Sequence, residues 1–358
     1  GGITATAPSS VTLAGAFTSG GGVNIGDSNT GITLADNTSI TTAAANTALT
    51  FGGAITGAGK ALTLDAGTST ITFGSTASGL GNTSLTANEV NFSGSFGGSG
   101  TLSITPSTTS RGTYLGSTDN SNATVLNLTA TELGYLADGF SSITIGSGTY
   151  AGDFTSQAAL SFKDPTTFTS TGTFYLAHNL SAASSTNAAF TINGPLNWTT
   201  GDISTGSGII TLNGDISLGG STTRSITSTS GIITIGASTS NTVTGNSINL
   251  TVNSGSAATN INSALNGMGS LSLGTISSQT GTITLNGVFS TTSLTVGSYA
   301  YDLVFNGGNE GTSMVTNAVT LSNTGSITIG NQTGDIFVFS GGLSSITQST
   351  LNLAGALR

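Results

Sequence analysis

The sequence has 358 residues, of which 54 are Gly and none is Cys; 35% are hydrophobic, only 5% are charged, and the formal net charge is −9. An ordinary soluble domain is about 25% charged, yet this chain is too apolar for charge-driven disorder, and without Cys it has no disulfide framework, thiolate metal site or Cys nucleophile. The five basic residues, Lys60, Arg111, Lys163, Arg224 and Arg358, are scattered, which excludes a nucleic-acid interface.

Taken in chain order, the predicted elements are short strands of alternating polarity. They include Ser10–Ala14, Ala61–Leu64, Thr70–Gly74, Ser141–Gly146, Gly208–Gly214, Gly231–Gly236, Ser247–Val252, Gly281–Gly287, Ser293–Val296 and Gly325–Gly330. A period of two buries one face of each strand. Turn formers separate them, as at Asp65-Ala66-Gly67, Asn213-Gly214-Asp215 and Asn306-Gly307-Gly308-Asn309. Only Leu126–Leu136 has apolar spacing suited to one or two helical turns, and it lies within strand-like sequence, so no helix is expected. No apolar run approaches the roughly 18 residues of a membrane helix, and the chain is read as not membrane-spanning. With no initiating Met and no basic leader, it reads as a segment or mature form of a longer protein.

Five of these strands are near-copies: Ser141–Gly146, Gly208–Gly214, Gly231–Gly236, Gly281–Gly287 and Gly325–Gly330. Aligned on Ile210, Ile233, Ile283 and Ile327, they repeat at 23, twice 25 and twice 22 residues. A period in the low twenties carrying short strands predicts a solenoid. The expected fold is all-β, a right-handed parallel β-helix with coils of roughly 20–25 residues, one continuous shaft over residues 1–358. At about 4.8 Å per coil this gives roughly 16 coils and a rod on the order of 75 Å. The near-absence of charge fits that geometry, because like charges stacked ~4.8 Å apart repel by close to 1 kcal/mol even in water. A Greek-key sandwich would not explain the recurrent phrase, a propeller blade needs about 40–50 residues, and the repeats are too divergent for stacked identical amyloid segments.

One stretch is more specific. Leu128-Thr129-Ala130-Thr131-Glu132-Leu133 continues to Asp138-Gly139-Phe140-Ser141-Ser142-Ile143-Thr144-Ile145-Gly146, and Phe162-Lys163-Asp164-Pro165-Thr166 follows. This resembles the repeat region of large bacterial exoproteins related to filamentous haemagglutinin, and Leu62–Gly74 looks like another such unit; the match covers roughly residues 46–220. The resemblance implies a right-handed β-helix at the bacterial cell surface, acting as an adhesin or matrix component. The family's N-terminal secretion domain has no counterpart in these residues.

Chemistry is sparsely signalled. The single His, His178, has no neighbouring triad phrase. The fourteen acids are dispersed; Asp202 and Asp215 are the pair read as able to meet on neighbouring coils, and Asp65 and Asp138 as closing turns. Asp27-Ser28-Asn29 and Asp119-Asn120-Ser121-Asn122 are oxygen-rich turns that an Asx turn explains without calcium. Asn-X-Ser/Thr triplets such as Asn37-Thr38-Ser39 are frequent, as chance produces in so Asn-, Ser- and Thr-rich a chain. Even spacing places Phe92/Phe96, Phe162/Phe168/Phe174 and Phe337/Phe339 in the core, whereas Trp198 and Tyr299/Tyr301 are the candidates for sugar stacking at the surface.

No catalytic, cofactor-binding or metal-ligating residue is therefore assigned, no cofactor is expected, and the chain is read as not an enzyme. The expected function is an extracellular, adhesin-like shaft at the bacterial cell surface, with host or neighbouring cell surfaces, glycans or matrix as partners. The alternatives are a subunit polymerising end to end through its terminal coils, since no cap is legible at Gly1–Ala7 or Ser349–Arg358, and a polysaccharide-active β-helix enzyme.

Overall fold

In the computed structural model the chain is a β-solenoid of parallel strands wound in about 15 turns. The structure describes residues 1–6, 8–183, 188–345 and 348–358, and Ala7 lies outside them. By its internal contacts the chain divides into two compact units, Gly1–Thr173 and Phe174–Arg358.

In the first unit three columns of strands build the coils. Ser10–Thr18 and Gly31–Thr41 each run through two columns, bending at a register shift after Leu13. The second half of Gly31–Thr41 is followed in register by Leu62–Asp65, Thr83–Thr86, Thr101–Thr105, Ser142–Gly146 and Thr166–Thr169. Another column stacks Val23–Ile25, Leu49–Phe51, Thr70–Phe73 and Glu89–Phe92. Because parallel register places like positions above one another, Phe51, Phe73 and Phe92 form a ring stack with centroids 5.6 Å apart at each step. Outward positions form the uncharged column Asn24, Thr50, Thr72 and Asn91.

In the second unit four of the near-copied phrases lie in one column. Ile210 pairs with Ile233, Ile283 with Leu303, and Leu303 with Ile327. The two doubled intervals are filled by Thr259–Ile261 and Leu303–Phe305. The inward Ile and Leu are buried, and the outward column reads Thr211, Thr234, Asn260, Thr284, Val304, Thr328. Two corner types close the phrases. Gly236 and Gly330 take left-handed φ of 85° and 81°, with a neighbouring coil so close that a Cβ would collide with Ser263 or with Ala354 O. The other corners carry Asn: Asn286 Nδ2 donates to Asn262 Oδ1 at 2.7 Å, Asn306 Nδ2 to Asn286 Oδ1 at 2.6 Å, and Asn213 Nδ2 to Asn193 Oδ1 at 2.7 Å.

The expected core aromatics Phe92, Phe96, Phe162, Phe168, Phe174, Phe337 and Phe339 are buried. Two surface candidates are corrected. Trp198 is 0% exposed, because Leu196 and Trp198 share the inward face of Leu196–Trp198, and its indole N–H donates to Thr200 O and Gly201 O. Tyr301 is likewise buried, its hydroxyl donating to Leu273 O at 3.0 Å, and Tyr299 is half-buried. Arg224, also fully buried, is satisfied by hydroxyl and carbonyl oxygens, donating to Thr222 Oγ1 at 2.7 Å and to the carbonyls of Thr199 and Gly219.

A candidate polar cleft beside an expanded coil

Among the described residues the stack departs from its period beside one coil. Thr83 pairs with Leu102, 19 residues on, but Thr101 pairs with Ser142, 41 residues on. The extra length carries strands Gly112–Ser117 and Val125–Thr129 and the helix Ala130–Tyr135, where no helix was expected. Its local cause is a capping box: Thr129 Oγ1 accepts from Glu132 N at 3.1 Å, while Glu132 Oε2 accepts from Thr129 N at 2.9 Å. At the other end Lys163 Nζ donates to Leu136 O at 3.2 Å, and Asp164 Oδ1 accepts from Gly139 N at 2.9 Å. The segments Asp138–Gly146 and Phe162–Thr166 thus meet through this last bond, the Ile143 N–H donating to Pro165 O, and the parallel pairing of Ser142–Gly146 with Thr166–Thr169.

Two carboxylates join the expanded coil to Glu89–Phe92. Glu89 Oε2 accepts from the backbone and side-chain nitrogens of Asn127, each at 3.2 Å. In the reverse direction, Glu132 Oε1 accepts from Phe92 N at 3.2 Å and Asn120 Nδ2 at 3.3 Å. Burial pushes the Glu89 carboxyl up to about 7; the Asn127 bonds oppose that shift, Glu132 adds to it, and Arg111 opposes it. Arg111 is held by Nη2 donating to Ala123 O and Val125 O, at 2.7 and 2.8 Å, and by Tyr150, whose hydroxyl donates to Arg111 O at 2.6 Å. Desolvation lowers the Arg111 pKa and raises that of Tyr150 to about 12.

Glu89, Arg111, Asn91, Asn120, Ser69 and Thr70 are among the residues lining a polar cleft of ≈ 400 Å³, within the ~300–1,000 Å³ of small-molecule sites. Glu89 Oε1 and Arg111 Nε are buried with no hydrogen-bond partner among the described residues, each a cost of about 1–3 kcal/mol unless met. In the second unit the Asn262–Asn286–Asn306 ladder floors another polar cleft, of ≈ 360 Å³.

The acids singled out from the sequence serve the backbone. Asp202 Oδ1 accepts from Ser225 N, and Asp215 Oδ1 from Thr242 N, both at 2.9 Å; the two serve different corners and form no site. Asn37, Asn46, Asn82, Asp153, Asn179, Asn253 and Asp302 bond a backbone N–H one coil further along in the same way. The Ser326 hydroxyl and N–H hold the Asp302 carboxyl below its ordinary range. Asp65 Oδ1 accepts from Gly67 N at 2.9 Å, closing its turn. Asp27 and Asp119 bond Asn29 N and Ser121 N, both at 2.9 Å, as Asx turns, and no metal-holding group of three His, Cys, Asp or Glu occurs among the described residues. His178 is half-buried beside Gly201.

Sequence reasoning missed Glu89, Arg111 and Asn120 as a group; the readable signal was the Thr129-x-x-Glu132 box and the broken period around it. No family model matches the chain, and neither the curated proteins nor the solved structures contain a match.

Proposed function

We propose that the chain is a non-enzymatic, adhesin-like β-helical shaft, extracellular at the bacterial cell surface, that binds glycans or matrix through its lateral faces. The observation that carries the reading is the outward columns of hydroxyl and amide groups, such as Thr211–Thr234–Asn260–Thr284, repeating coil by coil beside amide-lined clefts. A repeated neutral polar surface complements a repeated polyhydroxyl ligand, and most of the Asp residues noted above are engaged in backbone bonds. The likeness of Leu128–Gly146 and Phe162–Thr166 to exoprotein repeats supports the same reading. An immobilised panel of neutral and acidic polysaccharides, with product analysis, tests it. Retention without cleavage is expected; no retention defeats the reading, and cleavage transfers it to the polysaccharide-active alternative.

A second reading, self-association through terminal coils, draws on the exposure of Ile3, Leu351, Leu353 and Leu357. Leu351 and Leu353 pair with Ile327 and Ile329, whose side chains are buried. In this reading another copy covers Leu351 and Leu353. Sedimentation across a concentration series, with Leu351→Lys and Leu353→Lys as controls, distinguishes concentration-dependent rods from a fixed mass.

A further inference from the structure

We propose that the cleft beside the expanded coil binds a carboxylate-bearing sugar, with Arg111 taking the carboxylate and the linked amides of Asn91 and Asn120 taking ring hydroxyls. This deepens the glycan-binding reading and rests on it.

The argument begins with hydrogen-bonding capacity. Arg111 lines the cleft; Nη2 is engaged by Ala123 O and Val125 O, which fixes the guanidinium plane, and Nε is buried, leaving Nη1 as the donor with no partner among the described residues. A guanidinium N–H held in this way makes a charge-assisted hydrogen bond to one carboxylate oxygen. Asn120 Nδ2 donates to Asn91 Oδ1 at 2.7 Å, leaving Asn91 Nδ2 as a donor and Asn120 Oδ1 as an acceptor in the same lining. Adjacent sugar hydroxyls, each donor and acceptor, match such a pair. Among the described residues no aromatic ring lines the cleft, so an apolar ligand gains little there.

Glu89 sets the ligand's charge. The groups facing it are Arg111 before Gly112–Ser117, Asn127 on Val125–Thr129 and Glu132 on the helix. With its carboxyl titrating near neutrality, Glu89 is uncharged below that pH and a competing anion above it. Below that pH the ligand carboxylate meets no competing charge at Glu89, and above it the two anions repel.

Calorimetric titration of the full chain with methyl glucuronide, methyl glucoside and glucose 6-sulfate, at about pH 5.5 and about pH 8.5, tests the proposal. Methyl glucuronide should bind roughly tenfold tighter at the lower pH and at least roughly tenfold tighter than the other two. Glu89→Gln, permanently uncharged, should keep the binding and lose its pH dependence, whereas Arg111→Met should lose the binding. Equal affinity for the glucoside or the sulfate, pH-independent binding by the parent chain, or no binding of methyl glucuronide overturns the assignment. Polysaccharide retention without methyl glucuronide binding sinks the cleft but leaves the shaft reading standing. Methyl glucuronide binding in the expected pattern, with no polysaccharide retained, upholds the cleft and sinks the shaft reading.

Discussion

Glu89 makes the first unit sensitive to pH in a direction opposite to that of a typical surface carboxylate. Its pKa rises from 4.5 to about 7 because folding removes it from water. Between those values the folded chain holds a proton that the unfolded chain has released, so stability falls as pH rises. The contribution is fully present below about pH 4.5 and is lost through pH 7, by an amount of order 1–2 kcal/mol once screening of a partly exposed group is allowed for. Denaturant titrations across this window should show that decline, and Glu89→Gln should flatten it. Gly146 tests the backbone instead. It has φ +85°, and an added Cβ would collide with Thr169 O, so Gly146→Ala should cost at least about 2 kcal/mol in the same assay. Parity along a strand explains the aromatic corrections: Trp198 sits two residues after inward Leu196, and Tyr301 two before inward Leu303, a relation visible in the sequence that surface chemistry alone overlooks.

The expanded coil depends on a few polar contacts reaching across 25 to 40 residues. Asp164 is 4% exposed, its Oδ1 holds Gly139 N, and burial raises its pKa. Asp164→Ala should strip hydrogen-exchange protection from Gly139 and cost about 1–3 kcal/mol, while Asp164→Asn, which keeps the acceptor, should retain most of that protection. Unchanged exchange at Gly139 in Asp164→Ala would refute this role. Such contacts explain what was and was not legible. Gly231–Gly236 announces a strand because Ile233, Thr234 and Ile235 alternate locally. Thr259–Ile261 hides one, because a Thr occupies the inward position paired with Ile233. The Glu89–Asn127 and Glu132–Phe92 bonds hid the cleft, since stacking, rather than proximity in sequence, brings those residues together.

Across the molecule, parallel register turns the choice of residue at one position into a choice for a whole column. Thr211 lies directly beside Thr234. A double-mutant cycle of Thr211→Lys with Thr234→Lys should show about 1 kcal/mol of unfavourable coupling at low salt, whereas Thr211→Lys with Thr234→Glu should show coupling of opposite sign. Both should fade at high salt; coupling indistinguishable from zero at low salt would remove charge repulsion as the reason for the uncharged columns.

Many of the side-chain bonds between coils run in one direction. Asn37, Asn82, Asn179, Asp202 and Asp302 each accept from an N–H later in the chain, and in the Asn262–Asn286–Asn306 ladder the later amide donates to the earlier. A coil added behind the last finished one therefore meets acceptors already in position, which suits winding from the N-terminal side as the chain emerges. Glu132, Asp164, Gln279 and Ser313 reverse the order: Phe92, Gly139, Ser254 and Phe289 must wait 24 to 40 residues for their acceptors. Two of these late locks, Phe92 to Glu132 and Gly139 to Asp164, belong to the expanded coil.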